Sequence, residues 1–358
     1  MKNPLDLVRR NILALTPYST ARDEYQGGPL GVFLDANENP YPSAENFNRY
    51  PDPGQKEIKG LLAGIKGVAA ERIFIGNGSD EAIDLCFRVF CEPRTDNAIA
   101  IAPSYGMYRV AAATNDVEMR EVRLGNPACA ENPDFALDTE AVLAAADEHS
   151  KLLFLCSPNN PSGNLLPRAQ IVELLERFPG MVVVDEAYID FADRGPDGSE
   201  PGFLGDLEKH PNLIVLQTLS KAWGMAGLRL GLAFGAREVM DIFARVKYPY
   251  NISSAVQAIV AERLRAPEKV AAQIAEIRSE RARVAAALAA SPAIAHVFPS
   301  DANFVLVRTT GDARALYEKL IAGGIIVRDR SRIAGCEGTL RITVGTPEEN
   351  DKLIKQIQ

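Results

Sequence analysis

A single lysine stands among small and apolar residues in the stretch TLSKAWGMAGLRLG. Lys221 follows the apolar run 213–218, and a turn containing glycine leads to a second apolar run at 228–234. Both runs are typical of buried strands, where a lysine is seldom found. Burial lowers the pKa of an amine below its free value of about 10.4, and a neutral amine attacks carbonyl carbon. Taken alone, the stretch favours the alternative, a lysine whose amine extends to solvent. Taken together with the groups described next, it predicts that Lys221 is buried and forms a Schiff base with an aldehyde.

A carboxylate at the end of another apolar run is the counterpart of this lysine. Three valines, residues 182–184, precede Asp185 in VVVDEAYIDF, so Asp185 is expected at the carboxyl end of a buried strand. An ionised carboxylate there is costly unless a cation meets it. Tyr188 follows one turn later and can offer a phenol to the same space. A helix N-cap would also explain Asp185, but that role does not require so apolar a setting.

Two turn segments add polar groups at predicted strand ends. In GNGSDEAI, residues 76–83, a strand enters a turn that opens a helix, and free N–H groups at a helix N-terminus suit a phosphate. An ordinary helix start capped by Ser79 or Asp80 is the alternative. In CSPNNPSGN, residues 156–164, prolines and a glycine fix a sharp turn that can hold Asn160 over the sheet edge. A plain strand-to-helix loop is the alternative there.

Together these groups call for one ligand, because open α/β sheets bind ligands at the carboxyl ends of their strands. The ligand needs an aldehyde, an oxygen beside it, a basic ring nitrogen and a phosphate, and pyridoxal 5′-phosphate carries all four. Asp185 would keep the ring nitrogen protonated, so that the ring accepts electrons as the substrate Cα–H bond breaks. Lys221 would then move that proton. The phosphate is expected at the 76–83 turn, Ser220 and Arg229.

The elements that must position these groups alternate between helix and strand from residue 55 onward. Short apolar runs between helical segments indicate a mostly parallel sheet covered on both faces. The strands are expected at 72–76, 97–103, 117–124, 151–158, 181–188, 212–219 and 229–235. An alanine-rich helical stretch, 254–290, breaks at Pro267 and leads to a small α+β unit with strands at 303–309, 325–329 and 340–345.

This pattern divides the chain into three parts. Residues 1–40 form an N-terminal segment that is expected to pack on the small domain or on a partner. Residues 41–250 form the large ligand-binding domain, and residues 251–358 form the small domain together with its helical connector.

Composition and charge exclude several classes of protein. The 358 residues carry a net charge of −8 without a lysine–arginine block, which disfavours nucleic acid and anionic membranes as partners. Neither a signal-peptide core nor an apolar run of about 20 residues is found. The five cysteines are scattered without a CxxC motif, which indicates a reducing cytoplasm. The three histidines lie outside any motif, so metal hydrolysis and serine–histidine catalysis are poorly supported.

The motifs SPNNPSG, VVDEAY and TLSKAWGMAGLRLG resemble the fold-type I, class II aminotransferases that depend on pyridoxal phosphate. The motifs LDANENPYP, NRYPDP, GNGSDE, PSYGMY, GIIVRDR and LRITVGT narrow the resemblance to the histidinol-phosphate aminotransferases, and together they span residues 34–346. The resemblance implies an α/β fold like that of aspartate aminotransferase and a cytoplasmic homodimer with shared active sites. It also implies a reaction of histidine biosynthesis, in which L-histidinol phosphate and 2-oxoglutarate give imidazole-acetol phosphate and L-glutamate.

The resemblance also implies a role for individual residues. Lys221 would be the Schiff-base lysine and Asp185 the partner of the protonated ring nitrogen, with Tyr188 counted among the catalytic residues. Asn160 and Tyr188 would contact the ring hydroxyl, and Tyr105 would stack on the ring. Asn160 would also contact the substrate. The cofactor phosphate would be surrounded by Ser79, Asp80, Glu81, Thr218, Ser220, Arg229 and Tyr50 of the partner subunit.

The substrate would be held by arginines of the small domain. Arg341 would form a bidentate pair with the α-carboxylate, and Arg328 and Tyr18 would face the substrate phosphate. Many relatives carry a Pro-Gly step after the N-terminal tyrosine, but here the stretch is TPYSTARDEYQGG. Further candidates for the substrate phosphate are therefore left open: Arg22, Arg330 and Arg332.

Other functions compete with this interpretation. An aromatic amino acid aminotransferase or a phosphothreonine decarboxylase would use the same cofactor motifs. A non-catalytic module that binds the cofactor, as in some transcription regulators, is disfavoured because the first 40 residues show no basic or helix-turn-helix-like segment and the net charge is negative. A nucleotide-binding oxidoreductase is weaker still, because GNGSDE does not complete a G-x-G-x-x-G motif.

Overall fold

Across residues 3–18, 32–42, 47–125, 133–195 and 200–358, which the computed structural model describes, seven strands form the larger of two sheets. The strands are β1 Ile73–Asn77, β2 Asn97–Ala102, β3 Glu118–Arg123, β4 Ser150–Cys156, β5 Met181–Asp185, β6 Leu213–Thr218 and β7 Leu230–Phe234. Their spatial order is β1-β7-β6-β5-β4-β2-β3, and each neighbouring pair is parallel except the two that include β7. The predicted mostly parallel sheet is confirmed.

A smaller, antiparallel sheet forms in the C-terminal part of the chain. Its strands are β8 Ile294–Val297, β9 Phe304–Thr309, β10 Arg328–Asp329 and β11 Thr339–Thr343, in the order β10-β11-β9-β8. The α/β fold class, with a large parallel sheet and a small α+β unit, is therefore as predicted. The domain boundaries at residues 40 and 250 stay a prediction.

Helices join and cover the two sheets. They are α1 Arg10–Leu13, α2 Lys56–Lys66, α3 Ser79–Phe90, α4 Met107–Thr114, α5 Thr139–Ala144, α6 Arg168–Arg177, α7 Arg237–Val246, α8 Ser254–Leu264, α9 Pro267–Ala289, α10 Ala313–Ala322 and α11 Pro347–Ile357. The connector breaks before Pro267 as predicted, because proline lacks an N–H and is tolerated at the first position of a helix. None of the helices in the described ranges has the length and apolarity to cross a membrane.

The core explains why the central strands are so apolar. Val182 and Val184 face one hydrophobic cluster and Val183 faces another on the opposite side, so the sheet is buried on both faces. The first cluster continues into the small sheet through Phe304 and Leu306. The small sheet therefore contributes to the hydrophobic cluster on one face of the large sheet, and residues of the helical connector belong to the same cluster.

Two strands of the small sheet differ from the sequence prediction. The predicted strand 325–329 pairs only at its last two residues, because the Ile325 N–H still bonds the Leu320 carbonyl (2.9 Å) at the end of α10. Strand β8 was missed, since its two central residues are exposed and leave no apolar run.

A buried carboxylate, Glu186, ties a loop to the large sheet directly after β5. Glu186 is only 2% exposed. Its carboxylate accepts hydrogen bonds from the Phe203 N–H (2.6 Å) and from Gln217 Nε2 (2.9 Å). Burial raises the pKa of Glu186 to about 7, although both hydrogen bonds oppose the rise. The other side-chain atom of Gln217, Oε1, is buried without a hydrogen-bond partner in the described residues.

We predict that Glu186→Gln removes a pH-dependent loss of stability. A carboxyl whose pKa rises on folding contributes fully below its unfolded value, about 4.3, and loses that contribution as the pH passes the folded value of about 7. The free energy of unfolding of the mutant, measured relative to the parent, should therefore rise by roughly 2–4 kcal/mol from about pH 4 to about pH 8. Urea denaturation of both proteins measures this difference. Glu176→Gln, which changes an exposed residue, is the control. If the difference in free energy of unfolding from the parent is independent of pH for both mutants, the prediction is contradicted.

Candidate active site

A cavity opens where β4, β5 and β6 end and where α3 begins. Its walls include most of the residues that the sequence predicted for the cofactor. They are Ser79, Asp80, Tyr105, Asn160, Asp185, Tyr188, Thr218, Ser220, Lys221 and Arg229, together with Gly78, Cys156 and Ala187. Residues from five separate segments of the chain thus meet at one edge of the sheet.

One end of the cavity is built to hold an anion. Helix α3 begins at Ser79, so the first amide groups of the helix have no partner within it. The guanidinium of Arg229 lies beside this helix start, with Nη2 3.3 Å from Asp80 Oδ2. Gly78 leaves room for it, because a Cβ there would come within 2.8 Å of Arg229 Nη2. Across from the helix, the Ser220 N–H bonds Thr218 Oγ1 at 3.1 Å, which fixes the start of the lysine loop.

The buried carboxylate of Asp185 lies deeper in the cavity. Asp185 is 2% exposed, and it accepts hydrogen bonds from the Tyr108 hydroxyl (2.6 Å) and from the Ala187 N–H (3.1 Å). Among the described residues it forms no ion pair. Desolvation raises the pKa of Asp185, and the two hydrogen bonds oppose that rise. A cationic group of a ligand would therefore meet a carboxylate that lacks a protein counter-ion.

The amine of Lys221 faces the open space of the cavity, so the prediction that this lysine is buried is wrong. The residue as a whole is exposed, since the turn after β6 ends at the mouth of the cavity. The pKa of Lys221 is nevertheless lowered, first by desolvation from the surrounding walls and then by Arg341 and Arg229. Its Nζ lies 5.5 Å from the centre of the Tyr188 ring. The lowered proton affinity that the sequence predicted therefore arises at a cavity wall and not in the core.

Asn160 links the cofactor side of the cavity to the small sheet. Its Nδ2 lies 3.4 Å from the Tyr188 hydroxyl, and its Oδ1 accepts a hydrogen bond from Arg341 Nη1 at 2.5 Å. The Arg341 guanidinium also lies over the Phe304 ring, 5.2 Å from its centre. Tyr105 closes another wall, where its hydroxyl donates to Asp80 Oδ1 at 3.0 Å.

The side chains of three arginines extend from the same face of the small sheet. Arg328 on β10 lies directly opposite Arg341 on β11, and Arg330 follows two residues later, with its N–H bonded to the Thr339 carbonyl (3.0 Å). In the described parts of the chain none of the three forms an ion pair. The Nε atoms of Arg330 and Arg341 are buried without a hydrogen-bond partner there. Unpaired buried donors are costly, so this face is suited to bind an anion.

Several predicted site residues lie away from the cavity. Glu81 instead bonds the Asn77 N–H and Asn251 Nδ2, which gives it a structural role. Tyr50 stacks on Tyr250, and Tyr18 is 75% exposed. Of the remaining open candidates, Arg332 is exposed, and Arg22 belongs to a segment outside the described residues.

Sequence reasoning missed one residue of this region, Tyr108, and left another, Arg330, among several open candidates. Tyr108 stands in the motif PSYGMY, but only Tyr105 of that motif received a role, because a hydrogen bond to Asp185 across 77 positions has no local signal. Arg330 was one of several arginines left open, and only its orphaned Nε sets it apart from Arg332.

The donor set fits pyridoxal 5′-phosphate. The helix start with Ser220 and Arg229 matches the phosphate, and the unpaired Asp185 matches a protonated pyridine nitrogen. Lys221 supplies an amine of lowered pKa for the aldehyde. No group of three or more potential metal ligands is found among the described histidine, cysteine, aspartate and glutamate residues.

The architecture and this site define the class of protein. The model of the aminotransferase class I and II family matches residues 22–357, and the chain belongs to that family. Within the class it groups with the histidinol-phosphate aminotransferases. It is 51% identical over 358 residues to the histidinol-phosphate aminotransferase of Parabacteroides distasonis, which covers 100% of this chain and 99% of that protein.

Solved structures agree with the fold. A histidinol-phosphate aminotransferase from Sinorhizobium meliloti in complex with pyridoxal 5′-phosphate has a TM-score of 0.76 at 26% identity, covering 87% of this chain and 83% of that one. An aspartate aminotransferase mutant from Thermus thermophilus has a TM-score of 0.71 at 22% identity, covering 90% and 94%. The predicted fold class and the predicted enzyme class are therefore confirmed.

Proposed function

We propose that this chain transfers an amino group from L-histidinol phosphate to 2-oxoglutarate, with pyridoxal 5′-phosphate as cofactor. The products are imidazole-acetol phosphate and L-glutamate, as a step of histidine biosynthesis. The observation that carries the proposal is the single cavity in which the Lys221 amine, the unpaired Asp185 and the anion-binding start of α3 face one another. The full-length likeness to histidinol-phosphate aminotransferases supports the choice of substrate.

The residues of the cavity divide the work. The cofactor supplies an aldehyde and an electron-withdrawing ring, which is chemistry that side chains lack. Asp185 holds a proton on the ring nitrogen, while Asn160 and Tyr188 offer hydrogen bonds to the ring oxygen. Lys221 would carry the proton from the substrate Cα to the aldehyde carbon of the cofactor, and its lowered pKa favours the neutral amine that accepts this proton.

We predict that Lys221→Ala abolishes turnover, since both the covalent anchor and the proton carrier are lost. The parent should transaminate L-histidinol phosphate with 2-oxoglutarate, and the mutant kcat should be roughly 100- to 10,000-fold lower. Lys209→Ala, which changes an exposed lysine, is the matched control. Borohydride reduction of the loaded parent followed by peptide mapping should label Lys221.

A label on a different lysine would contradict the assignment of Lys221. A parent that prefers phenylalanine would contradict the proposed substrate, and so would one that releases carbon dioxide from phosphothreonine. In both cases the site would serve another reaction of the same cofactor.

The arginines of the small sheet are proposed to bind the carboxylates or the phosphate of the substrate. One site must accept glutamate, which has two carboxylates, and histidinol phosphate, which has a phosphate ester but no carboxylate. Arg341, bonded to Asn160 at the cavity, suits the glutamate α-carboxylate. Arg328 and Tyr18 are proposed for the substrate phosphate or the distal carboxylate. Arg330 is proposed for the same role, because its Nε on the same face has no hydrogen-bond partner among the described residues.

We predict that Arg330→Gln and Arg328→Gln each impair histidinol phosphate more than unphosphorylated histidinol. Loss of a charge-assisted contact of about 1.5–3 kcal/mol lowers kcat/KM roughly 10- to 100-fold. Steady-state kinetics with both substrates measure the ratio, and Arg283→Gln is the control because that guanidinium is already paired with Glu280 and Asp351. If both substrates lose the same factor in one of these mutants, that arginine does not read the phosphate.

A homodimer with shared active sites is the proposed assembly. Tyr50 is 52% exposed and stacks on Tyr250, with ring centres 4.4 Å apart, in a cleft outside the cofactor cavity of its own chain. An aromatic pair exposed in this way suits a contact with a second copy. Tyr50 is therefore proposed to reach the cofactor phosphate of the partner subunit.

Complementation between two inactive mutants tests this assembly. In a heterodimer of Tyr50→Ala and Lys221→Ala subunits, one site combines a native Lys221 with a native Tyr50 from the other subunit. Random mixing makes half of the dimers mixed, so about a quarter of the parent activity should return. Activity equal to the sum of the separate mutants, or an active monomer in sedimentation, would contradict the proposal.

A cytoplasmic location is also proposed. The described cysteines Cys86, Cys91, Cys156 and Cys336 are free and buried, which is compatible with a reducing compartment.

A further inference from the structure

A tyrosine outside the cavity wall holds the carboxylate on which the cofactor depends. Tyr108 lies on α4 and is 1% exposed, and its hydroxyl donates to Asp185 Oδ2 at 2.6 Å. The second carboxylate oxygen, Oδ1, accepts the Ala187 N–H at 3.1 Å. Each oxygen thus has one fixed donor from the protein, and the two donors together set the orientation of the carboxylate.

The Tyr108 ring is locked by aromatic packing. It stacks on Phe154 of β4, with ring centres 4.8 Å apart and an interplanar angle of 19°. Phe154 in turn stacks on Phe87 of α3 at 5.4 Å. The edge of Tyr105 meets Tyr108 at 5.6 Å, so the residue proposed to stack on the cofactor touches the residue that holds Asp185. The hydroxyl of Tyr108 therefore has little freedom to turn away.

The electrostatic surroundings of Asp185 make this hydrogen bond important. Desolvation raises the pKa of Asp185, and the Tyr108 hydroxyl is the first of the groups that oppose the rise, ahead of the Ala187 amide. The other titratable groups that act on Asp185 or share its surroundings are Asp80, Lys221, Tyr105, Tyr188 and Cys156. Among them Lys221 favours the ionised carboxyl, and Asp80 disfavours it.

We propose that Tyr108 is a positioning residue whose hydroxyl keeps Asp185 an oriented carboxylate that can hold the ring nitrogen of the cofactor in its protonated form. The inference rests on the proposed function for its consequence in turnover, but its physical core concerns two residues of the chain itself. A carboxylate without this donor becomes a neutral acid at a higher pH, and a neutral acid does not stabilise a pyridinium.

Tyr108→Phe is the sharp test, because it removes one oxygen and leaves the stacked ring in place. In the cofactor-free protein, ¹³C NMR of aspartate labelled at the side-chain carboxyl gives the titration of Asp185, whose signal is identified by its absence in Asp185→Ala. The hydrogen bond predicts that Asp185 titrates about 1–2 pH units higher in the mutant than in the parent. Tyr317→Phe, which changes a tyrosine of the small domain on α10, is the control and should leave the titration unchanged.

In the loaded enzyme the acidic limb of the kcat profile should move upward by a similar amount. In the Asp185→Ala background, Tyr108→Phe should have no further effect on kcat, because Tyr108 acts through Asp185. An unchanged titration of Asp185 in Tyr108→Phe overturns the proposal, and so does an equal loss of kcat in both backgrounds. If the carboxyl titration shifts but histidinol phosphate is not turned over, the proposed substrate fails while the role of Tyr108 stands.

Discussion

A carboxylate without a protein counter-ion lies at the centre of this structure. Asp185 ends a strand of the large sheet that is buried along its whole length, and among the described residues its partners are a hydroxyl and a backbone amide. A buried charge that is not met by another charge is expensive, and such a group is retained where a ligand supplies the missing cation. The rest of the site is arranged so that a pyridinium ring can supply it.

The topology of the sheet brings the other groups to this point. Strands β4, β5 and β6 run parallel, so the loops that carry Asn160, Tyr188 and Lys221 leave the same edge. Strand β7 then turns back antiparallel to β6 and β1, and Asn77 at the end of β1 lies opposite Leu230. That register places the start of α3 beside Arg229. The phosphate end and the ring end of the cavity are therefore fixed by the same hydrogen-bond ladder.

Much of this could be predicted from the sequence, because the strongest signals are local. Runs such as residues 181–185 predicted buried strands, and the polar residues that follow such runs fall at the carboxyl edge by the geometry of parallel sheets. Four features were found in this way: the 76–83 turn, the turn with Asn160, the strand end with Asp185, and the stretch with Lys221 and Arg229. The resemblance to known aminotransferases then supplied roles that residue types alone leave open.

The rest depends on contacts between distant segments. Tyr108 had no signal of its own, since only packing against Phe154 turns its hydroxyl toward Asp185. Lys221 was expected in the core because its neighbours are apolar, yet those neighbours are buried while its own side chain points into the cavity. Arg330 differs from Arg332 in its buried Nε, which lacks a hydrogen-bond partner among the described residues, and the sequence pattern does not encode that burial.

The protonation state of the cofactor ring tests the central role of Asp185 most directly. Pyridoxal 5′-phosphate labelled with ¹⁵N in its ring can be bound to the parent and to Asp185→Ala, and the ¹⁵N chemical shift can be followed across the pH range in which the fold is stable. The structure predicts a ring nitrogen that stays protonated throughout in the parent and loses its proton in the mutant. A nitrogen that titrates in the parent as it does in the free cofactor would contradict this role of Asp185.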